Sequence, residues 1–246
     1  FEQMELEYFI APDADWQALH GRWVETRLRW YQALGMREEL LGTEMHSKEK
    51  LAHYSCACTD IIFRYPFGPQ ELEGIAARGS FDLTCHQNHS GKSLEYFEEE
   101  GRRRYLPHVI EPSVGVDRAF LAFLCSAYAE DEMDGEKRTV LRLHPHLAPV
   151  KVAVLPLLKN RPELVTAARE IFQKLQRRWN VAWDASGAIG RRYRRMDEIG
   201  TPFAVTVDFE SLKNGTVTLR SRDTGEQTRL SVDELTVELH RQIDPA

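Results

Sequence analysis

The sequence predicts an α+β domain built on an antiparallel sheet, followed by an α/β domain. Three observations carry this. In the first part, strand-like segments are separated by long insertions, and one apolar helix follows the last of them, which is the pattern of a mostly antiparallel sheet. In the second part, short apolar runs alternate with segments of helical period, the pattern of an α/β domain of about 100 residues. Between them lies Leu143–Pro149, where Pro145 and Pro149 interrupt both patterns and read as a linker. A length of 246 residues suits two domains, expected at 1–147 and 148–246.

The elements follow in order. Phe1–Ile10 alternates, with Met4, Leu6, Tyr8 and Ile10 facing one way and Gln3, Glu5 and Glu7 the other, so a strand with one buried face is expected. Asp15–Leu34 places Trp16, Leu19, Trp23, Leu28 and Trp30-Tyr31 at helical spacing, and Gly35 is the stop. Phe67-Gly68-Pro69 is a turn signal, and Glu71–Ala76 a short strand. Glu98–Arg104 is a charged hairpin tip before a strand at Tyr105–Val114. Gly115 opens an apolar helix through Ala119, Phe120, Leu121, Phe123, Leu124 and Tyr128. Beyond the linker, Val150–Leu155 is an apolar run expected to be a strand buried on both faces. Pro162–Trp179 is an amphipathic helix, Val181–Trp183 a strand, Ile189–Ile199 a helix and Phe203–Val207 a second buried strand. Thr216–Arg220 and Gln227–Leu230 flank Asp223-Thr224-Gly225 as a hairpin, and Val232–Ile243 closes with a helix.

Composition narrows the function classes. Hydrophobic residues at 42% and charged residues at 28% fit a soluble globular chain, not a disordered or membrane one. No apolar run approaches the roughly 20 residues a membrane span needs. The acidic, strand-like start is no signal peptide, and without an initiator Met it reads as the start of a fragment. Four cysteines are too few for a disulfide scaffold, so reduced thiols in the cytoplasm are expected. The net charge of −6 is uneven: residues 148–246 carry 16 Lys+Arg against 13 Asp+Glu, and the remainder 16 against 25.

Three acidic clusters fall on strands or strand ends: Gln3, Glu5 and Glu7; Glu71 and Glu73; and Glu111 with Ser113. Spacing by two puts the members of each on one strand face. Directly after the third comes Gly115-Val116-Asp117-Arg118, where strand gives way to helix. Such a junction lets backbone N–H groups and an arginine converge on phosphate oxygens. Carboxylates gathered beside it suit an ammonium group and a divalent cation. Together these features suggest activation of an amino acid by ATP, although solvated glutamates on an alternating strand are the commoner meaning of each pair taken alone.

The identity of the longer motifs goes further. Phe1-Glu2-Gln3-Met4-Glu5-Leu6-Glu7 resembles the end of motif 2 of class II aminoacyl-tRNA synthetases, in the form found in dimeric bacterial glycyl-tRNA synthetases. Gly115-Val116-Asp117-Arg118 and the helix after it resemble motif 3. Leu51–Ser55, Pro66–Gly68, Glu71–Ala76, Asp82-Leu83, His86-Gln87, His89–Gly91 and Ile110–Ser113 follow the glycine enzymes, and Gly190–Phe203 is similar to the anticodon domain shared with related class II enzymes. The resemblance covers essentially the whole chain.

The resemblance implies roles. Glu5, Glu111 and Ser113 would line a glycine pocket, with the segments Phe1, Glu2, Gln3, Met4, Glu5 and Glu111, Pro112, Ser113, Val114, Gly115 as its wall. Glycine offers no side chain to grip, so its selection must rest on rejecting anything larger. Glu71 and Leu72 would sit at the ATP side with Phe1, Gly115, Val116 and Asp117. Glu71 would be a Mg²⁺ ligand, and Arg118 would bind the γ-phosphate. Arg118 and Glu71 are thus the expected catalytic residues, ATP and Mg²⁺ the expected cosubstrate and cation, and tRNA(Gly) and glycine the expected partners. Motif 1, through which a homodimer would form, and the arginine of motif 2 would lie before Phe1. The chain by itself is then expected to form no glycyl-adenylate.

In the second domain, Arg191, Arg192, Arg194 and Arg195 surround Tyr193. Arginines beside an aromatic can meet phosphates and stack on bases, or they are a solvated helix face with Tyr193 in the core. Cys56, Cys58, Cys85, His86 and His89 do not have a structural zinc spacing, so no zinc is expected. Two rival functions stand beside the ligase: a non-catalytic RNA-binding descendant of a synthetase, and a related enzyme for threonine, proline or histidine. The retained Glu5, Glu71, Glu111, Ser113 and Arg118 disfavour the first, and the Phe1–Glu5 and Glu111–Ser113 segments disfavour the second.

Overall fold

The computed structural model describes residues 1–133 and 135–244. The chain divides into two compact units, Phe1–Ser126 and Ala127–Ala246. This division falls before the boundary expected at 147/148, because the hairpin Tyr128–Leu141 belongs with the second unit: its Arg138 is ion-paired to Asp197.

The first unit is an antiparallel sheet of six strands: β1 (Gln3–Glu5), β2 (Tyr8–Ile10), β3 (Leu41–Met45), β4 (Ala57–Tyr65), β5 (Gly68–Gly79) and β8 (His108–Gly115). Their order is β1-β8-β5-β4-β3, with β2 also on β8. A small hairpin, β6 (Tyr96–Glu98) with β7 (Arg103–Tyr105), stands apart from that sheet. The helices are α1 (Trp16–Ala33), α2 (Phe81–Ser90) and α3 (Val116–Ala127).

Alternation along these strands sorts the side chains. Ile61, Phe63, Ile75, Ile110 and Val114 face a core with Tyr31 of α1 and with Ala119 and Ala122 of α3. Burying such a side chain contributes roughly 1.5–3 kcal/mol. Helix α1 starts where the Asp15 carboxylate accepts from the Ala18 amide at 3.1 Å, satisfying one otherwise unpaired donor. Trp16, Leu19, Trp23 and Leu28 then pack on the core.

Several expectations change here. Phe1–Ile10 forms two short strands, not one. Both pair with β8, and Leu6 bonds to Pro112 between them. Of the apolar set Met4, Leu6, Tyr8 and Ile10, only Ile10 is buried. The apolar helix ends at Ala127, and Tyr128 begins a strand. Strands β3 and β4 and helix α2 were not expected.

The second unit opens with the hairpin β9 (Tyr128–Met133) and β10 (Glu136–Leu141). A five-stranded mixed sheet follows: β11 (Val152–Pro156), β12 (Val181–Trp183), β13 (Phe203–Val207), β14 (Thr216–Ser221) and β15 (Gln227–Ser231), in the order β12-β11-β13-β14-β15. Strands β12, β11 and β13 run parallel, β14 is antiparallel to β13, and β15 is antiparallel to β14. Strands β11 and β13 are buried throughout, as their apolar runs require. Helices α4 (Pro162–Gln176) and α7 (Val232–Ile243) pack Leu164, Ala168, Leu175, Leu235 and Leu239 against the sheet, while α5 (Ile189–Glu198) and α6 (Phe209–Asn214) complete the unit. Pro162 starts α4 where no amide partner is needed. Ser231 and Glu234 close a reciprocal cap on α7.

Candidate active site

The sheet face turned away from α1 and α3 forms the floor of a cavity of about 650 Å³. Ten of the residues expected at the site line it: Phe1, Gln3, Glu5, Glu71, Leu72, Glu111, Ser113, Gly115, Asp117 and Arg118. The strand register explains the meeting. Gln3 lies opposite Gly115 and Glu5 opposite Ser113 across β1 and β8, so a difference of more than 100 in sequence becomes a side-by-side contact. Gln3 Nε2 donates to Ser113 Oγ at 2.8 Å, and Ser113 Oγ donates to Glu5 Oε1 at 3.3 Å. Arg118, in the first turn of α3, donates from Nη1 to the Glu71 carbonyl at 2.8 Å, and the same nitrogen is 3.8 Å from Glu71 Oε1.

Five expected residues do not line the cavity. Met4, Pro112 and Val114 alternate with the lining residues on β1 and β8, and alternation sends them to the other face. Val114 is in the core and Met4 is exposed at the sheet edge. Glu2 takes part through its carbonyl, which accepts from the Val116 amide at 3.0 Å.

The pairing of Glu71 with Glu73 on one face is also corrected. Strand β5 carries a bulge here: Glu73 sits opposite Ile61 and Glu71 opposite the next residue, Ile62, leaving Leu72 extra. One inserted residue reverses the alternation. Glu71 therefore joins Gly74, Ala76 and Arg78 at the cavity, while Glu73 is 1% exposed on the opposite face. There it receives Arg27 Nε at 2.7 Å and the Tyr31 hydroxyl at 2.6 Å. A buried carboxylate needs this pairing, and it makes Glu73 a structural residue.

Residues that the sequence did not single out complete the lining: His46, Tyr54, Cys58, Asp60 and Arg78. Arg78 bonds to Glu111 and to Asp82, and its guanidinium lies 4.4 Å from the Tyr54 ring centroid. That arginine fixes Glu111 at the cavity wall. Beside it, Glu7 has its carboxyl pushed up to about 7 by partial burial, by its hydrogen bond with Glu111 and by that group's charge. A Glu–Glu–Arg cluster is thus built around Glu111, which with Arg78 lines the cavity. The lining carries Glu5, Asp60, Glu71, Glu111 and Asp117 against Arg78 and Arg118. The excess of carboxylate suits an ammonium group, and Arg118 is placed for an anion.

In the second unit the arginines of α5 are mostly spent internally. Arg192 is 2% exposed and donates to the carbonyls of Pro156 and Leu157. Arg195 grips Asp184 at 2.6 Å, and Arg194 donates to the Met133 carbonyl. Tyr193 packs in the core and its hydroxyl meets Thr206 Oγ1 at 2.6 Å. Tyr193 thus takes the core position that one of the two readings gave it, while Arg191 is exposed and the Arg195 side chain is 42% exposed.

Residues 151–242 match the family described as "Anticodon binding domain", so the class is that of chains carrying a domain of this type. Three relatives extend the match to almost the whole chain. It is 51% identical over 243 residues to the glycine–tRNA ligase of Thermobifida fusca and 52% over 245 residues to that of Streptomyces coelicolor, covering 96% of this chain and 52% of the relative in each case. The glycine–tRNA ligase of Bacillus cereus is 49% identical over 99% of this chain and 52% of its own. Over nearly its whole length the chain is similar to glycine–tRNA ligases, and it spans about half the length of the relatives it matches.

Proposed function

We propose that the chain carries part of a class II catalytic site for activating glycine with ATP, together with the domain that engages the anticodon of tRNA(Gly). The observation that carries this is the convergence of Glu5, Glu111 and Ser113 with Arg118 and Glu71 on one cavity. In this reading Glu5 and Glu111 receive the α-ammonium group, and Ser113 orients Glu5. The Glu111–Arg78 pair keeps the wall rigid, so the space that would take a larger side chain is filled. Phe1, Gly115, Asp117 and Arg118 form the nucleotide end, and Arg118 neutralises the γ-phosphate. The donor set there fits a magnesium ion: Glu71 offers half-exposed carboxylate oxygen, and such ions are usually held by one or two carboxylates plus substrate phosphates. When bound, the cation neutralises phosphate charge. The glycine carboxylate attacks the α-phosphorus and pyrophosphate leaves, after which glycine passes to the terminal ribose of tRNA. Positioning and charge neutralisation suffice, so no protein nucleophile is assigned. The unit Phe1–Ser126 is assigned to catalysis and the unit that starts at Ala127 to tRNA, in the cytoplasm and as a homodimer.

The test is glycine-dependent exchange of pyrophosphate into ATP by a polypeptide that joins this chain to the remaining half of the family's length. Arg118→Ala and Glu111→Gln are each expected to lower exchange at least about a hundredfold, the scale of removing one electrostatic contact to the transition state. Exchange at the parent rate in both variants would refute the assignment.

A further inference from the structure

One group in the cavity has no part in the reading above. Cys58 and Asp60 are two apart on β4 and so share its cavity face, while His46 follows the end of β3, the neighbouring strand. The His46 amide bonds to the Cys58 carbonyl at 3.0 Å, which locks the two strands at this level. Imidazole Nε2 lies 2.7 Å from Asp60 Oδ2, and the Cys58 thiol is 3.7 Å from Asp60 Oδ1. The nitrogen, sulfur and oxygen all lie within 4.8 Å of one another. Asp60 is 8% exposed, and the other two side chains are partly buried.

We infer that His46, Cys58 and Asp60 form a site for one zinc-like divalent cation, with its fourth coordination position open to the cavity. One imidazole, one thiolate and one carboxylate are the ligand types of zinc. The sulfur selects against magnesium and calcium, which take oxygen. Three protein ligands with one free direction is the arrangement of zinc sites that exchange a water or substrate atom, whereas structural sites close with four. The free direction exists because all three residues line the cavity that also holds Glu71 and Glu111. That lining has more carboxylates than cationic groups, so a dication is electrostatically welcome there. Of the five Cys and His residues weighed for zinc in the sequence, only Cys58 belongs to this group, and its partners are residues the spacing did not point to.

The chemistry balances simply. In the metal-free site the 2.7 Å contact is an Nε2–H donated to Asp60; on binding, the imidazole carries its single proton on Nδ1 instead, so that Nε2 offers a lone pair, Asp60 offers a carboxylate oxygen, and the thiol releases its proton to solvent. One proton therefore leaves for each ion bound. The inference stands on these three side chains and does not use the glycine reading.

The experiment is cobalt titration of the purified chain in the absorption spectrometer. A thiolate-to-cobalt charge-transfer band saturating at one ion per chain is expected, bleached by zinc and unaffected by excess magnesium. Cys58→Ser should remove the band, Cys56→Ser should leave it, and His46→Ala should weaken cobalt binding at least tenfold. In the unaltered protein, zinc addition should release one proton per ion to an indicator dye, a readout that needs no variant to fold. Absence of the band at stoichiometric cobalt would overturn the site. So would a band that survives Cys58→Ser, or zinc binding with no proton release.

Discussion

Asp197 offers the sharpest test of how the second unit is held together. Its carboxylate is fully buried and receives Arg138 Nη1 at 2.8 Å and Arg220 through both terminal nitrogens, at 2.9 and 3.1 Å. A third guanidinium, Arg194, is 4.0 Å away. Asp197→Asn keeps the shape and removes the charge. Arg138 then still has Asp131, at 2.6 and 2.9 Å, and the Arg222 carbonyl. Among the described residues Arg220 then keeps one amide oxygen at position 197, the Met133 sulfur and the Tyr193 ring, 4.7 Å from its guanidinium carbon, but no anion. The damage therefore falls on Arg220, a buried cation left without an anion. Breaking a buried pair in this way costs about 3–5 kcal/mol. For a unit of this size that is a fall in Tm of about 10–20 °C. Calorimetry of the parent, Asp197→Asn, Arg220→Met and the double variant measures it. The double variant should be less destabilised than the sum of the two singles, because the second change removes the orphaned charge. A Tm for Asp197→Asn within about 2 °C of the parent, against the shift expected from buried-pair loss, would refute the reasoning.

Two further outcomes follow from local features. The Glu7 carboxyl, raised from an ordinary 4.5 to about 7, favours the folded state when protonated; that contribution is full below about pH 4.5 and is lost as pH rises through 7. Glu7→Gln should therefore be more stable than the parent at pH 8 by about 1 kcal/mol, after discounting for a side chain open to solvent, and equal to it at pH 4; paired urea titrations at the two pH values check this, and an identical difference at both would contradict it. Gly200 has φ +81°, and a Cβ there would lie 2.8 Å from the Leu143 side chain and 3.2 Å from the Leu141 carbonyl, so Gly200→Ala should cost about 2 kcal/mol or more, read as a lower denaturant midpoint at unchanged slope.

Where a segment buries an apolar stripe or run, the sequence announced it. Helices α1, α4 and α7 and strands β11 and β13 came out close to their expected bounds for that reason. Helix α2 has no buried residue and so writes no stripe into Phe81–Ser90. Half the residues in the strands of the β9–β10 hairpin are charged, and besides the backbone ladder they are tied by ion pairs from Arg138, which leave no periodic mark. At the site, Glu5, Glu111, Ser113 and Arg118 were legible because alternation and the strand–helix junction placed them. Residues from β4, and Arg78 further along β5, were hidden because only the sheet's register brings them there. The arginines around Tyr193 left two readings open because a basic cluster looks the same whether its charges meet solvent or carbonyl groups.

The extra residue in β5 has a consequence for how this chain can vary. Leu72 acts as a phase switch: upstream of it odd-numbered side chains look into the cavity, and downstream even-numbered ones do. A single-residue deletion there would leave composition and length almost untouched, yet it would turn one glutamate out of the chamber or strand the other without Tyr31 and Arg27. Point substitutions along this strand are separable events, whereas an insertion or deletion within Glu71–Glu73 would rewrite both sides of the sheet at once.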